Sequence, residues 1–476
     1  VTDSTPASHP GTTDGTSDST AEPTTEPAVA STTAPTAAST AGSTVNGSHG
    51  SPDASPDPGS ETLRILVGVG GGIAAYKACA LVRAFTGAGH EVHVIPTESA
   101  LRFVGAATFE ALSGNPVTTT VFDDVDQVRH VRLGQEADLV VIAPATADLI
   151  ARLAQGRADD LLTASCLVAT CPVVLAPAMH TEMWAHPATR ENVATLRRRG
   201  TVVLEPAHGR LTGPDSGPGR LPDPGHIATL ATAARDRYGI FRRSLVGRRL
   251  LITAGGTREP LDPVRFLGND SSGRQGFALA DIAVQRGARV ELVAGFTDDL
   301  PVPSGAHVTR VRTARDLHAT VNDLAPGVDA VVMAAAVADF RPVTEADSKL
   351  KKGGVEDLSV LELAENPDIL RGLVESRRTG DLPEDLLIAG FAAETGDAGH
   401  TPLDLARVKL AKKGCDLLMC NAVGGGRVFG RDDSSGWLLT PGDHPGEEDV
   451  VEVPAGSKHV VAAHVLDALE ELFAPG

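Results

Sequence analysis

The sequence is poor in cysteine and in aromatic side chains. Five Cys (Cys79, Cys166, Cys171, Cys415, Cys420), two Trp and two Tyr are spread over 476 residues. Cysteines this few and this unpatterned exclude a disulfide scaffold and a zinc cluster. Reduced thiols in a cytoplasmic protein are the plain expectation. No stretch approaches the roughly 20 consecutive apolar residues that a membrane-spanning helix needs. Positive charge is short as well. Lys and Arg number 42 against 61 Asp and Glu, a net charge of −19, which excludes a general nucleic-acid binder with its basic footprint.

The deepest deficit is N-terminal. Residues 1–61 contain no Leu, Ile, Met, Phe, Tyr, Trp, Cys, Lys or Arg, and their eight acids carry −8 of the −19. A segment of Ser, Thr, Ala, Pro and Gly cannot bury enough apolar area to offset chain entropy. The composition predicts a disordered tail without a function of its own. It lacks the basic and apolar regions of a secretory signal. An alternative start codon, or a start set too far upstream, would account for a tail that opens on Val1.

The remainder is too long for one core and reads as two αβ units. Arg64–Val69 is an apolar run that ends in Gly70-Gly71-Gly72, after which Ile73–Gly87 has a helical pattern. Strand, glycine turn and helix open a parallel sheet. Further strands are expected at Glu91–Pro96, Ala137–Ala143, Pro172–Ala176 and Val202–Leu204. Their nearly unbroken apolar character suits a sheet covered on both faces. A helical link over Pro224–Gly239 leads to a second start at Arg249–Thr253, followed by Ala254-Gly255-Gly256-Thr257. Its strands continue at Val290–Ala294, Ala330–Met333, Leu386–Gly390 and Leu417–Cys420. The boundary is placed near 245. Either glycine turn suits a phosphate at a helix N-terminus or simply close packing. Neither is G-x-G-x-x-G with an acid some 20 residues on, so a dinucleotide site is not indicated.

Longer motifs stand in fixed order. The first unit reads GVGGGIAAYK (68–77), PTESALRFV (96–104), ADLVVIAPATADLIARLAQGRADDLL (137–162), APAMHTEMW (176–184) and GRLTGPDSGPGR (209–220). The second reads ITAGGTREPLDPVRFLGNDSSGRQGFALA (252–280), AAAVADFRP (334–342), KLKK (349–352), NPDI (366–369), GFAAET (390–395) and KLAKKGCDLL (409–418). At these residues the chain resembles the bifunctional phosphopantothenoylcysteine decarboxylase/phosphopantothenate–cysteine ligase family of bacterial coenzyme A synthesis, over about 62–472.

The resemblance implies two doubly wound αβ domains after the tail (1–61): a flavodoxin-like FMN domain (62–245) and a Rossmann-like CTP-binding ligase domain (246–476). It implies FMN at a subunit interface, near Gly70, Gly71, Gly72, Thr97, Ser99, Thr146 and Met179, with Pro144-Ala145-Thr146 and Ala178-Met179 beside the isoalloxazine. Taken alone, Thr97 or Ser99 reads as a helix cap. His130 aligns with the family's catalytic His; a lone His in a sequence is otherwise structural or solvated. The implied chemistry is oxidation of the cysteinyl thiol to a thioaldehyde, loss of CO₂, and reduction of the enethiol. Two positions depart from the family pattern. His180 replaces an Asn that contacts the substrate carboxylate, and Gly213 stands where a flap Cys donates a proton. A cationic His180 can still hold a carboxylate. The proton must then come from water or another group such as His180. Arg210 and Arg220 flank the flap, as substrate contacts or as a solvated loop.

In the ligase unit the resemblance implies that CTP activates 4′-phosphopantothenate as an acyl-cytidylate, which the amine of L-cysteine attacks, with Mg²⁺ present and its ligands undefined. Gly255-Gly256-Thr257 would approach phosphate by backbone. Asn269 would contact the acyl-cytidylate, beside Ser271-Ser272-Gly273. Met333-Ala334-Ala335 and Asp339 would read cytosine and ribose, and Lys349 the triphosphate. Asn366, Pro367, Asp368 and Ile369 form part of the nucleotide site, and Phe391 packs on the nucleotide. Lys409 and Lys413, four apart on one helical face, would aim at phosphate. The expected assembly is a homo-oligomer with trimeric flavin domains and dimeric ligase domains, up to a dodecamer. Two rival readings remain: a ligase whose flavin unit is only a structural trimer core, and a flavin-fold regulatory binding protein. A blocked flavin groove would favour the first, and an incomplete CTP site the second.

Overall fold

The computed structural model describes residues 61–119, 129–211, 216–350, 360–396, 399–422, 433–442 and 447–473. The predicted tail, apart from Glu61, lies outside them, as do Gly213 of the flap and Lys351-Lys352 of KLKK.

Five parallel strands form the first sheet among the described residues: β1 (Arg64–Val69), β2 (Glu91–Pro96), β3 (Leu139–Ala145), β4 (Val173–Pro177) and β5 (Val202–Val203), in the order β2-β1-β3-β4-β5. β3 is buried at every position, because helices cover both faces. Ala78–Gly87 and Pro224–Asp236 pack together on one face, and Arg129–Glu136, Ala147–Gln155, Leu161–Val168 and Pro187–Arg198 lie on the other. The chain leaves β1 in opposite directions toward β2 and β3. That divergence is the topological switch point where open αβ sheets bind ligands. An antiparallel hairpin, β6 (Ala207–Arg210) and β7 (Ser216–Arg220), folds over the same edge.

The second sheet has eight strands among the described residues. β8 (Arg249–Ala254), β11 (Arg289–Ala294), β12 (His307–Arg310), β13 (Ala330–Met333), β16 (Leu387–Glu394) and β17 (Leu417–Ala422) are parallel, in the order β12-β11-β8-β13-β16-β17. β18 (Asp433–Pro441) and β19 (Glu448–Ser457) extend it antiparallel. Two small hairpins stand off its C-terminal edge: β9 (Arg258–Pro260) with β10 (Phe266–Gly268), and β14 (Phe340–Pro342) with β15 (Leu363–Glu365).

Both sheets were expected, with shifted ends. β3 and β4 begin one or two residues later than the apolar pattern suggests. Asp138 is diverted, its carboxylate accepting from the Arg64 amide at 2.8 Å. The linking helix stops at Asp236 rather than Gly239. The hairpins and β18–β19 were not foreseen, since SGPGR and DSSGWLLTP carry no continuous apolar run.

The halves share one hydrophobic cluster that runs from Leu81 and Leu230 to Leu279 and Leu466. A polar seam lies within it. Asp281, buried, sits 2.9 Å from His226 Nε2 and 3.2 Å from His459 Nε2. Arg286, fully buried, donates to Glu470 at 2.7 Å and to the Ile240 carbonyl at 3.0 Å. Burial alone would push the His226 imidazole down and the Asp281 carboxyl up; their mutual contact, with Asp223 and His459 nearby, reverses both shifts. The raised imidazole contributes stability in full below its ordinary pKa of about 6.5, and the contribution is lost as pH rises through the raised value. The depressed carboxyl contributes above about pH 4 and is lost under acid. Asp281→Asn is therefore expected to destabilise the protein by about 3 kcal/mol near pH 6 and to flatten the fall in thermal stability above neutral pH. Melting curves at a series of pH values check this; an unchanged profile would remove the seam's electrostatic role.

Candidate active sites

At the C-terminal edge of the first sheet, a cavity of about 340 Å³ opens between Gly72–Lys77, Pro144, Ala178–His180 and the base of the β6–β7 hairpin. It sits at the β1/β3 switch point. The three glycines divide their work there. Gly70 donates its amide to the Pro144 carbonyl at 3.0 Å, and a Cβ on it would stand 2.4 Å from that oxygen. A Cβ on Gly71 would stand 2.2 Å from Ser99 Oγ. Of the three only Gly72 has room for a Cβ, which would make an ordinary contact of 3.7 Å with Thr146 Cγ2. The first two glycines thus lock neighbouring turns together, and the third forms the cavity wall.

The hydroxyl of buried Thr97 donates to the Val69 carbonyl at 3.2 Å and accepts from the Ala100 amide at 3.2 Å. This is the capping role that residue type alone suggests. Ser99 is exposed, its Oγ 3.2 Å from Thr97 Oγ1. Thr146 caps the helix Ala147–Gln155 by accepting from the Leu149 amide at 3.3 Å. Met179 and exposed His180 line the cavity. His130 does not. Its helix packs on the opposite face against Leu161–Val168, where Gly134 approaches the Ser165 carbonyl. Sequence reasoning missed Tyr76 and Lys77, which also line the cavity. The spacing from Ile73 to Lys77, one helical turn, was the available signal.

The hairpin is fastened through backbone. Met179 donates its amide to the Gly219 carbonyl at 2.9 Å, and Thr181 Oγ1 donates to the Pro218 carbonyl at 2.9 Å. Gly219 has φ +144°, and a Cβ there would stand 2.2 Å from the Met179 carbonyl oxygen. No cysteine lines the cavity. Burial pushes the Cys166 thiol up to about 12 and Cys171, Cys415 and Cys420 up to about 11, so these four are protonated and unreactive at neutral pH.

In the second half the turns after β8, β11 and β13 are stitched together at the β8/β13 switch point. Gly256 donates to the Phe296 carbonyl at 2.9 Å, Thr257 to the Ala336 carbonyl at 3.2 Å, and Ala336 to the Gly255 carbonyl at 2.8 Å. The expected approach of Gly256 and Thr257 amides to phosphate is therefore corrected: those donors are already used, and the turn is a packing node. Asn269 sits beside it and donates Nδ2 to the Val337 carbonyl at 3.0 Å. Ala335 donates its amide to Thr253 Oγ1 at 3.0 Å, which orders the segment after buried Met333, with Ala334 and Ala335 half-buried. Asp339 is exposed; its carbonyl accepts from the Asn366 amide at 2.8 Å, and Asn366 Nδ2 donates to the Ala338 carbonyl at 2.8 Å.

NPDI proves to be a helix start. Asp368 caps Ile369–Thr379 by accepting from the Arg371 amide at 3.2 Å, Ile369 is core, and Pro367 is half-buried. The lysines expected to aim at phosphate are paired: Lys413 with Asp368 at 2.5 Å and Lys409 with Glu394 at 2.6 Å. Phe391 packs against the core from β16. Lys349 is exposed, on a segment held by buried Asp262, which accepts from the Leu350 amide at 3.2 Å and from Arg265 Nη2 at 2.6 Å. Burial alone would raise the Asp262 carboxyl; the Val264, Arg265 and Leu350 amides and the Arg265 guanidinium hold it well below the usual carboxylate range. Arg258, also unforeseen, lies between the Phe266 and Phe296 rings, 4.2 Å and 3.7 Å from their centres. Among the described residues no three His, Cys, Asp or Glu converge to hold a metal.

Gly219→Ala is expected to free the hairpin at a cost of about 1–3 kcal/mol, from the strained backbone angle and the clash together. Limited proteolysis should cleave within 207–220 roughly tenfold faster than in the unaltered protein. Equal rates would show that the hairpin is held elsewhere.

The DNA/pantothenate metabolism flavoprotein C-terminal domain model matches residues 245–472, and the Flavoprotein model matches residues 54–235. The coenzyme A biosynthesis bifunctional protein CoaBC of Mycobacterium tuberculosis is 60% identical over 411 residues, 86% of this chain and 97% of that protein. Its Bacillus subtilis counterpart is 41% identical over 416 residues, 86% of this chain and 97% of the relative. A solved C-terminal domain of a CoaBC protein is 33% identical, covering 48% of this chain and 98% of that one, with a TM-score of 0.38.

Proposed function

The chain belongs to the family of coenzyme A biosynthesis bifunctional CoaBC proteins, and on that footing we propose that residues 62–245 carry the decarboxylase chemistry and 246–476 the ligase chemistry. It is an enzyme with both activities. The observation that carries the reading is identity of 60% sustained across 97% of the mycobacterial relative, through both halves.

In the ligase half, CTP activates the carboxylate of 4′-phosphopantothenate, releasing pyrophosphate. The amine of L-cysteine then attacks the acyl carbon, forming the amide and releasing CMP. This reaction needs positioning and positive charge rather than a protein nucleophile. The turn node holds Asn269 beside the acyl phosphate, while Ala334, Ala335 and Asp339 face the nucleoside. Lys349, Lys409 and Lys413 meet phosphates, and Phe391 backs the nucleotide. The Asn366–Ile369 segment shapes the loop around it. With no protein cage for a metal among the described residues, Mg²⁺ comes with the triphosphate, as this ion does when it keeps most of its waters.

In the decarboxylase half FMN is assigned to this cavity, where Gly72 leaves room in the wall and Met179 is part of the lining; the exposed Ser99 hydroxyl stands at the end of β2, outside that lining. Gly70 and Gly71 fix the turn, Thr97 and Thr146 fix the strand ends that present it, and Met179 lies against the ring. Bound flavin supplies a two-electron acceptor for the cysteinyl carbon chain. His180 pairs with the carboxylate that leaves as CO₂. His130 moves a proton and reaches the site from a neighbouring copy, since it lies off its own chain's cavity; trimeric flavin domains provide that neighbour. Dimeric ligase domains then lead to a dodecamer. With Gly213 in place of a thiol, water or His180 supplies the last proton. The open, cation-lined cavity favours this reading over a ligase with a purely structural first half. The free thiols agree with a cytoplasmic site, and among the described residues no helix is long and apolar enough to cross a membrane.

His130→Asn is expected to keep FMN bound and to slow CO₂ release by about 10²-fold or more. Normal decarboxylation by the flavin-loaded variant would make His130 structural. Asn269→Asp is expected to slow amide formation strongly while CTP is still converted to pyrophosphate, because a carboxylate there repels the anionic intermediate. Wild-type yield of phosphopantothenoylcysteine would overturn the assignment of Asn269.

A further inference from the structure

We propose that Lys77 and Arg220 form a phosphate-monoester subsite in the first half, which takes the 4′-phosphate of the acyl-cysteine substrate between the helix that follows the glycine turn and the base of the hairpin. The proposal rests on the decarboxylase reading of that half.

The cavity wall carries Lys77, Arg210, Arg220 and His180, and no Asp or Glu is among its described lining residues. That is a local excess of positive charge in a chain of net charge −19. Lys77 is half-buried, and its Nζ has a long contact of 3.5 Å to the Leu221 carbonyl. An ammonium has three donors, so two more can be given to a ligand. Arg220 ends β7 and is exposed, and among the described residues it makes no ion pair. Burial first, and then the Arg220 charge, push the Lys77 ammonium down from its ordinary range; Asp223 opposes them. Asp223 is itself engaged as the cap of the helix Pro224–Asp236, accepting from the Gly225 amide at 2.9 Å. Lys77 and Arg220 repel each other at a cavity with no acid among its described lining residues, and a dianion between them relieves the repulsion. A point charge and a planar fork together suit the three oxygens of a phosphate monoester.

Two phosphates reach this half, the flavin's and the substrate's. Position favours the substrate's. Ser99 and Thr97 stand at the end of β2, outside the cavity lining, whereas Lys77 and Arg220 both line the cavity. Lys77 is carried by the helix that follows the glycine turn and Arg220 by the hairpin, so one ligand can bridge the two elements.

The test is calorimetric titration of the flavin-loaded, full-length protein with 4′-phosphopantetheine and with pantetheine. The unaltered protein should bind the phosphorylated ligand about tenfold or more tightly. Lys77→Met and Arg220→Gln should each remove most of that preference while pantetheine affinity and flavin content stay unchanged; Lys77→Arg should retain part of it. Arg220 is exposed, so its variant folds even if the Lys77 variant does not. Preference retained in the Arg220 variant overturns the proposal. So does loss of flavin from that variant, which would assign the pair to the cofactor's phosphate. Turnover is not needed for this readout. A protein that shows the preference but releases no CO₂ supports the subsite and fails the decarboxylase reading.

Discussion

At the edge of each sheet a carbonyl oxygen occupies the space where a side chain would begin. The Pro144 oxygen does so over Gly70, and the Phe296 oxygen over Gly255, 2.3 Å from where its Cβ would be. Gly255 also has a φ of +77°, which a residue with a side chain rarely adopts. Because no side chain intervenes, loops that follow different strands close to hydrogen-bonding distance. That closure places Gly72, Pro144 and Thr146 in one half and Asn269 and Ala335 in the other. The strands supply rigidity, and the glycines turn it into a fixed arrangement of loops.

The same constraint explains what the sequence disclosed and what it concealed. Parallel strands buried on both faces, such as Val140–Ala143 and Ala330–Met333, advertise themselves as apolar runs. Their order, and the two restarts after glycine, made two doubly wound sheets legible. Residue type does not tell whether a glycine amide is free or spent. Gly256 and Thr257 looked like phosphate donors, but their amides bind the Phe296 and Ala336 carbonyls, partners 40 and 79 residues away (296 − 256 and 336 − 257). Long-range pairing hid the short polar hairpins for the same reason. It also hid the pairing of Lys409 and Lys413, whose helical spacing was readable but whose carboxylates come from β16 and a helix cap. Lys77 was overlooked because a lysine at the end of a helical turn is most often solvated; only the folded hairpin makes it a wall.

Charge is sorted with similar economy between the seam and the sites. Where the halves meet, Asp281 and Arg286 are buried against partners of opposite sign, so each carries a counter-charge into the interior. At the cavity of the first half no Asp or Glu stands among the described lining residues. In the second half Lys409 and Lys413 are each given an acid, Glu394 and Asp368.

The consequence of that pairing is competition: an ion exchanger with a threshold is what two such pairs would make toward any anion drawn to them. An anion that approaches Lys409 and Lys413 does not find bare ammonium groups; it has to take the place of Glu394 and Asp368 at contacts of 2.6 Å and 2.5 Å. A single negative charge offers little more than the carboxylate it would replace. A chain of phosphates, able to face both lysines at once, replaces two weak partners with one strong one. Resting pairs of this kind would therefore favour an anion of high charge density over a single carboxylate.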